Sequence, residues 1–114
     1  MSRNFYTPEQ RKDRQRNADL RCYYGIDLED YRRMLAEQAG LCAICCQPPK
    51  QGKVLGVDHY EPNGEKVVRG LLCDPCNMGL GQFRDNIDSL VRAARYLTPH
   101  AVADTWAAAL AEVG

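Results

Sequence analysis

Cys42-Ala43-Ile44-Cys45 and Cys73-Asp74-Pro75-Cys76-Asn77 bracket the stretch around which the chain is organised, with Val57-Asp58-His59 and Pro62-Asn63-Gly64 between them. Tetrahedral zinc takes four soft ligands, and a CxxC pair supplies two from one tight turn. Two such pairs, with 27 residues between Cys45 and Cys73, predict a structural zinc site held by Cys42, Cys45, Cys73 and Cys76, with no open position. Redox pairs or disulfides are the competing reading; reduced thiols in a cytosolic compartment favour metal. Cys46 directly follows Cys45, and a Cys42–Cys46 pair has one spacer residue too many, so Cys46 is only the reserve ligand. Cys22 is expected to be a buried packing residue.

Outward from this centre the sequence alternates helix signals with one hairpin signal. Leu55 to Tyr60 and Lys66 to Leu72 read as two strands joined through Pro62-Asn63-Gly64, which has turn chemistry. Pro75 suits the first turn of a short helix from Asp74, weakened by Gly79 and Gly81. Upstream, Thr7-Pro8-Glu9-Gln10 is a capping box opening a helix to about Tyr24, with Gly25 as its stop. Asp27, with Asp30 three residues on, opens a second helix whose stripe is Leu28, Tyr31, Met34, Leu35 and Ala39 and which Gly40 ends. Downstream, Asp85 or Asn86 caps a helix with Ile87, Leu90, Val91, Ala94 and Leu97 on one face. Thr98-Pro99 is read as the cap and first position of a last helix carrying Val102, Trp106, Ala109, Leu110 and Val113. The fold class expected is α+β, mostly helical. Residues 1–40 form a helical arm and support helix, 41–97 a zinc-stapled core, and 98–114 a C-terminal helix.

Composition sets limits on partners. The chain has 114 residues, 15 basic and 15 acidic, so net charge offers no global case for nucleic acid. Residues 1–22 nevertheless carry six basic side chains against three acidic ones, a local excess of three. Arg11, Lys12 and Arg14 lie in that segment. They read either as an ordinary solvated helix face or as an arm that lies on phosphates. No apolar run approaches the ~20 residues of a membrane span, so no membrane partner is expected. The N-terminus leads into a charged stretch without an apolar core, so no secretory signal is expected and the location expected is cytoplasmic.

Once the thiols complete a zinc shell, Asp58, His59 and Asn77 are left for other chemistry. A hard divalent ion such as Mg²⁺ prefers oxygen ligands; Asp58 offers a carboxylate and Asn77 an amide oxygen. Histidine is the side chain best suited to take a proton near neutral pH. A lone histidine is more often a surface or core residue, but this one stands beside an acid on a strand between two metal knuckles. Adjacent strand residues point to opposite faces, so for Asp58 and His59 to serve one reacting group the backbone must bend near the hairpin loop.

At this point Cys42-x-x-Cys45, Val57-Asp58-His59, Val68-Arg69-Gly70-Leu71-Leu72-Cys73-x-x-Cys76-Asn77 and Leu80-Gly81 resemble the phage endonuclease VII family of HNH, or ββα-metal, nucleases. The resemblance covers roughly residues 23–97, including Tyr24-Gly25 and Asp85-Asn86 through Tyr96-Leu97. It implies a hairpin and helix cradling a catalytic Mg²⁺ or Mn²⁺ beside a structural zinc. His59 would then be the general base, and Asp58 and Asn77 the ligands of the catalytic ion. Arg69 would either contact phosphate or tie the hairpin together. Where many members have a second histidine two residues after the first, this chain has Glu61, an additional candidate ligand or a group that orients His59.

The implied function is Mg²⁺-dependent hydrolysis of DNA, duplex or branched, including junction resolution or nicking, in the host cytoplasm if a phage encodes the chain. Longer members carry further C-terminal structure for branched-DNA recognition and dimerisation, so a homodimer is left open. The competing functions are a non-catalytic zinc module that binds nucleic acid or protein, and a nuclease toxin.

Overall fold

Local capping chemistry sets where the helices begin in the computed structural model, which describes residues 6–100. Helix α1 spans Pro8–Tyr24, with the Thr7 side chain accepting from the Gln10 amide and the Gln10 side chain accepting from the Thr7 amide. It ends where Gly25 turns left-handed at φ 73°, a conformation that costs glycine little. Helix α2 spans Leu28–Glu37 behind the matching Asp27/Asp30 box. Strands β1 (Gly56–Tyr60) and β2 (Val67–Leu72) form an antiparallel hairpin. Each starts one residue later than the sequence suggested. Helix α3 spans Asp74–Gln82 and α4 spans Ile87–Leu97, the latter capped by Asn86 through its bond from the Ser89 amide. The fold is therefore α+β and mostly helical, with one two-stranded sheet among the described residues.

The chain divides into two compact units, residues 1–77 and 78–114. In the first, the core is small: Leu20, Tyr31, Cys42, Leu55, Val57, Leu71 and Leu72 are buried. Polar anchors therefore carry much of the docking. Helix α1 is held to the unit rather than projecting from it. It buries Leu20 completely, and its Asn17 side chain accepts from the Leu28 amide at 2.8 Å, satisfying an orphan donor of α2. Arg32 reaches Asp13 at 3.1 Å, Arg16 lies over the Tyr31 ring, and Lys66 donates to the Tyr23 carbonyl near the C-terminal end of α1. The Tyr31 hydroxyl donates to the Leu55 carbonyl at 2.6 Å, joining α2 to the entry of β1.

Gln38, just past α2, holds β2 from its other edge. Its amide oxygen accepts from the Leu71 N–H at 2.9 Å, and its amide nitrogen donates to the Leu71 and Leu41 carbonyls. Ala43 donates to the same Leu71 carbonyl at 3.1 Å, so the first knuckle itself runs along the edge where a third strand would stand.

Three local expectations change. Cys22 is exposed on α1 rather than buried; Leu20 takes the inward position of that turn. Ala39 lies beyond α2 in the left-handed region at φ 55° and is exposed, so it leaves the apolar stripe. Thr98 is helical at φ −55° and ψ −45°, its hydroxyl bonding the Ala94 carbonyl, so it continues α4 into a 3₁₀ turn over Thr98–His100 instead of capping a new helix. The apolar face expected over 102–113 lies outside the described residues. In the second unit α4 has no buried residue, and Ile87 and Leu97 are exposed. Among the described residues no helix is long and apolar enough to cross a membrane.

Leu71 is fully buried and its N–H has the Gln38 amide oxygen as partner. Gln38→Ala leaves that donor unpaired, a loss of about 1–3 kcal/mol. Urea denaturation of the zinc-loaded protein should show a lower midpoint, and an unchanged midpoint would rule out the anchoring role of Gln38.

Candidate metal centre and nuclease site

The first knuckle is built by the backbone after α2. Cys42 donates to the Gln47 carbonyl and Cys46 donates to the Cys42 carbonyl at 2.9 and 3.0 Å, closing the turn that holds Cys42 and Cys45. The second knuckle stands where β2 runs into α3, whose first turn carries Cys76. The four Sγ atoms of Cys42, Cys45, Cys73 and Cys76 lie within 4.8 Å of one another, and Cys45 and Cys73 are 3.8 Å apart. Zn–S bonds of about 2.3 Å in a tetrahedron separate neighbouring sulfurs by about 3.8 Å, so the spacing fits zinc. Among the described residues this is the one cluster of three or more His, Cys, Asp or Glu donors.

The electrostatics of the cluster also call for a cation. Burial raises the Cys42 thiol, but N–H donors from Cys73, Cys45 and Ile44 outweigh it and bring the pKa down to about 6. Burial and the neighbouring thiols push Cys76 up to about 12. One thiolate is stabilised by backbone dipoles, and the next is opposed by the first. A divalent ion among them would remove that conflict, with all four held as thiolate ligands.

The hairpin carries the other candidate residues. Asp58 pairs with Gly70 and His59 with Val68, so Arg69 is the extra residue of a bulge. The register therefore breaks at the Asp58–His59 step, within the sheet rather than at the hairpin loop where the sequence placed a bend. Asp58 is buried, at 7% exposure, and both its oxygens are engaged by Arg69: Nε to Oδ2 at 2.8 Å and Nη2 to Oδ1 at 3.0 Å. Arg69 thus ties the hairpin together. His59 is half-buried, its ring 5.5 Å from that of Tyr24, and Glu61 Oε1 lies 3.8 Å from its Nε2, beyond hydrogen-bond reach. Asn77 directly follows Cys76 in α3, its N–H donating to the Cys73 carbonyl.

The family model for recombination endonuclease VII matches residues 17–99. The chain belongs to the recombination endonuclease VII family. It is 45% identical to the Gene 59 protein of Mycobacterium phage D29 over 75 residues, 65% of this chain and 44% of that protein. The Gene 59 protein of Mycobacterium phage L5 is 43% identical over 75 residues, with the same coverage. The chain thus spans less than half the length of these curated relatives. No solved structure gives a significant match.

Of the remaining residues singled out in this endonuclease VII-family chain, Arg11, Lys12 and Arg14 are exposed on α1. Arg11 donates to the Tyr6 carbonyl and Arg14 lies 4.3 Å over the Tyr6 ring, which sets two of the three cations around one exposed aromatic. Cys46, in the left-handed region at φ 57°, is exposed and outside the thiol cluster. Sequence reasoning missed Tyr24, Gln38 and Tyr60 as neighbours of the site. Tyr24-Gly25 was read as a helix end and as part of the family pattern, not as a neighbour of His59, and nothing local marks a glutamine as a clamp on a distant strand.

Elemental analysis of the purified protein should find one zinc per chain. Cys73→Ser should lose it together with much of the fold, because zinc binding in small domains contributes about 10 kcal/mol or more. Cys46→Ser should keep it. A folded, zinc-free native protein, or equal zinc loss in both variants, would overturn this ligand set.

Proposed function

We propose that the chain is a metal-dependent endonuclease module of the HNH, or ββα-metal, type that hydrolyses phosphodiester bonds in DNA. The observation that carries this reading is the hairpin running straight through a thiol knuckle into α3, with His59 on β1 and Asn77 on α3, in a chain of the recombination endonuclease VII family. Neither ring nitrogen of His59 makes a hydrogen bond among the described residues, which leaves one able to accept the proton of the attacking water. The Tyr24 ring packs against that of His59, and Glu61 Oε1 lies 3.8 Å from Nε2.

Asp58 and Asn77 supply hard oxygen donors suited to Mg²⁺ or Mn²⁺, with Glu61 as a further candidate. When bound, such an ion supplies Lewis-acid stabilisation of charge on the phosphoryl and leaving oxygens. The Asn77 side chain makes no hydrogen bond among the described residues, so its amide oxygen is available. Arg11, Lys12 and Arg14 add sequence-independent attraction for phosphates along exposed α1. Resolution of branched DNA and nicking are the candidate activities within this class. The second reading, a zinc module that binds without cutting, draws on the Asp58–Arg69 pair, which already occupies the carboxylate.

Single-turnover cleavage of DNA by His59→Ala should fall by about 10²–10⁴-fold, the usual worth of a general base, with zinc content and DNA affinity kept. Equal rates would remove His59 from the mechanism. The binding arm of the same experiment addresses α1. Joint charge reversal of Arg11, Lys12 and Arg14 should weaken affinity and flatten its salt dependence, whereas unchanged values would leave α1 a packing helix.

A further inference from the structure

The Asp58 carboxylate already has a cation. The two prongs of the Arg69 guanidinium each take one of its oxygens, a bidentate fit that a guanidinium makes far better than an ammonium. The partners are unequally exposed: the Asp58 side chain is 10% accessible and that of Arg69 is 35%. Solvent and substrate therefore meet the arginine before the carboxylate. The backbone builds this arrangement, since Arg69 is the extra residue opposite the Asp58–His59 step. The register is held from the far edge, where Gln38 grips Leu71 and where a Cβ on Gly70 would come 3.3 Å from the Gln38 oxygen.

The guanidinium also has a second seat. Its Cζ lies 5.2 Å over the ring of Tyr60, which is 41% exposed. An aromatic face stabilises a cation without fixing its hydrogen bonds, so Arg69 can leave the carboxylate and stay beside the site. A buried carboxylate stripped of its partner is strongly disfavoured. Release of Arg69 is therefore tied to arrival of another cation. The freed fork is suited to a phosphate, the most abundant anion on DNA.

We propose that Arg69 is a positioning residue that latches Asp58 while the protein is free, and that it yields the carboxylate to a divalent ion as its guanidinium passes to a DNA phosphate oxygen. This rests on the metal-dependent nuclease reading above. In the exchange the carboxylate trades a monovalent partner for a divalent one, and the phosphodiester gains the guanidinium. Metal and DNA both favour the unlatched arrangement, so each raises the affinity for the other, reciprocally.

The test is Mn²⁺ binding to the zinc-loaded full chain, followed by electron paramagnetic resonance with and without duplex DNA. A His59→Ala background slows cleavage, so that binding is read on intact DNA. With Arg69 present, DNA should raise Mn²⁺ affinity by about 5–150-fold, the usual range of coupling between sites. Arg69→Gln should bind Mn²⁺ about tenfold or more tighter than its parent without DNA, and the enhancement by DNA should shrink. Arg69→Lys, which keeps the charge but not the fork, should fall between the two and carries the test if Arg69→Gln does not retain zinc. Mn²⁺ affinity equal to or below that of the parent in these variants overturns the latch. Asp58→Asn separates this from the reading beneath it. If Asp58→Asn abolishes Mn²⁺ binding, an unresponsive Arg69 sinks the latch alone. If Mn²⁺ binding survives Asp58→Asn, or is absent throughout, the metal assignment at Asp58 fails and the latch with it.

Discussion

Four thiols gathered within 4.8 Å of one another cannot all ionise without a cation among them. Much of the first unit depends on that constraint. Its buried apolar set is small, and the two knuckles stand at opposite ends of the segment that contains the hairpin. A zinc ion there would close that segment into a loop and fix where β2 passes into α3. The metal would then substitute for core that a short chain cannot build, as in other small domains.

Around the staple, polar contacts of long sequence reach set the position of the sheet. Gln38 occupies the edge of β2, Tyr31 bonds the carbonyl before β1, and Asn17 caps α2 from α1. These bonds act at the rim of a modest core, where an unpaired backbone group is costly. They also explain why a helix with only one buried side chain is docked: Leu20 supplies the apolar anchor, and polar and charged groups supply the rest. The bulge at Arg69 belongs to the same design. It sets Arg69 against Asp58 at a place where a regular ladder would separate adjacent side chains by face.

The sequence was most legible where structure is local. Thr7 with Gln10, Asp27 with Asp30, and Asp85-Asn86 before Ile87 each mark a helix start within three residues, and the CxxC spacing picks out the four cysteines that cluster. It was least legible where a side chain reaches across the fold. The Gln38 clamp spans 33 residues in sequence and the Arg69 fork spans 11. Asp58 could be picked out as chemically useful, but its arginine partner could be read equally as a phosphate contact. Cys22 misled because cysteines are usually buried, yet its neighbour Leu20 fills the inward position. Thr98-Pro99 has the composition of a helix start, but the preceding turn of α4 keeps Thr98 helical through its bond to Ala94.

Family membership and donor chemistry support the proposed phosphodiester hydrolysis, with Asp58, His59 and Asn77 as the proposed working groups. The most direct test is incubation of the zinc-loaded protein with duplex, nicked, mismatched and four-way-junction DNA, with Mg²⁺ and with Mg²⁺ withheld. A nuclease of this kind cuts at least one of these substrates, only when Mg²⁺ is present, and retains its zinc. Zinc-loaded protein that binds these DNAs but leaves every one intact with Mg²⁺ would contradict that function and assign the chain to non-catalytic binding.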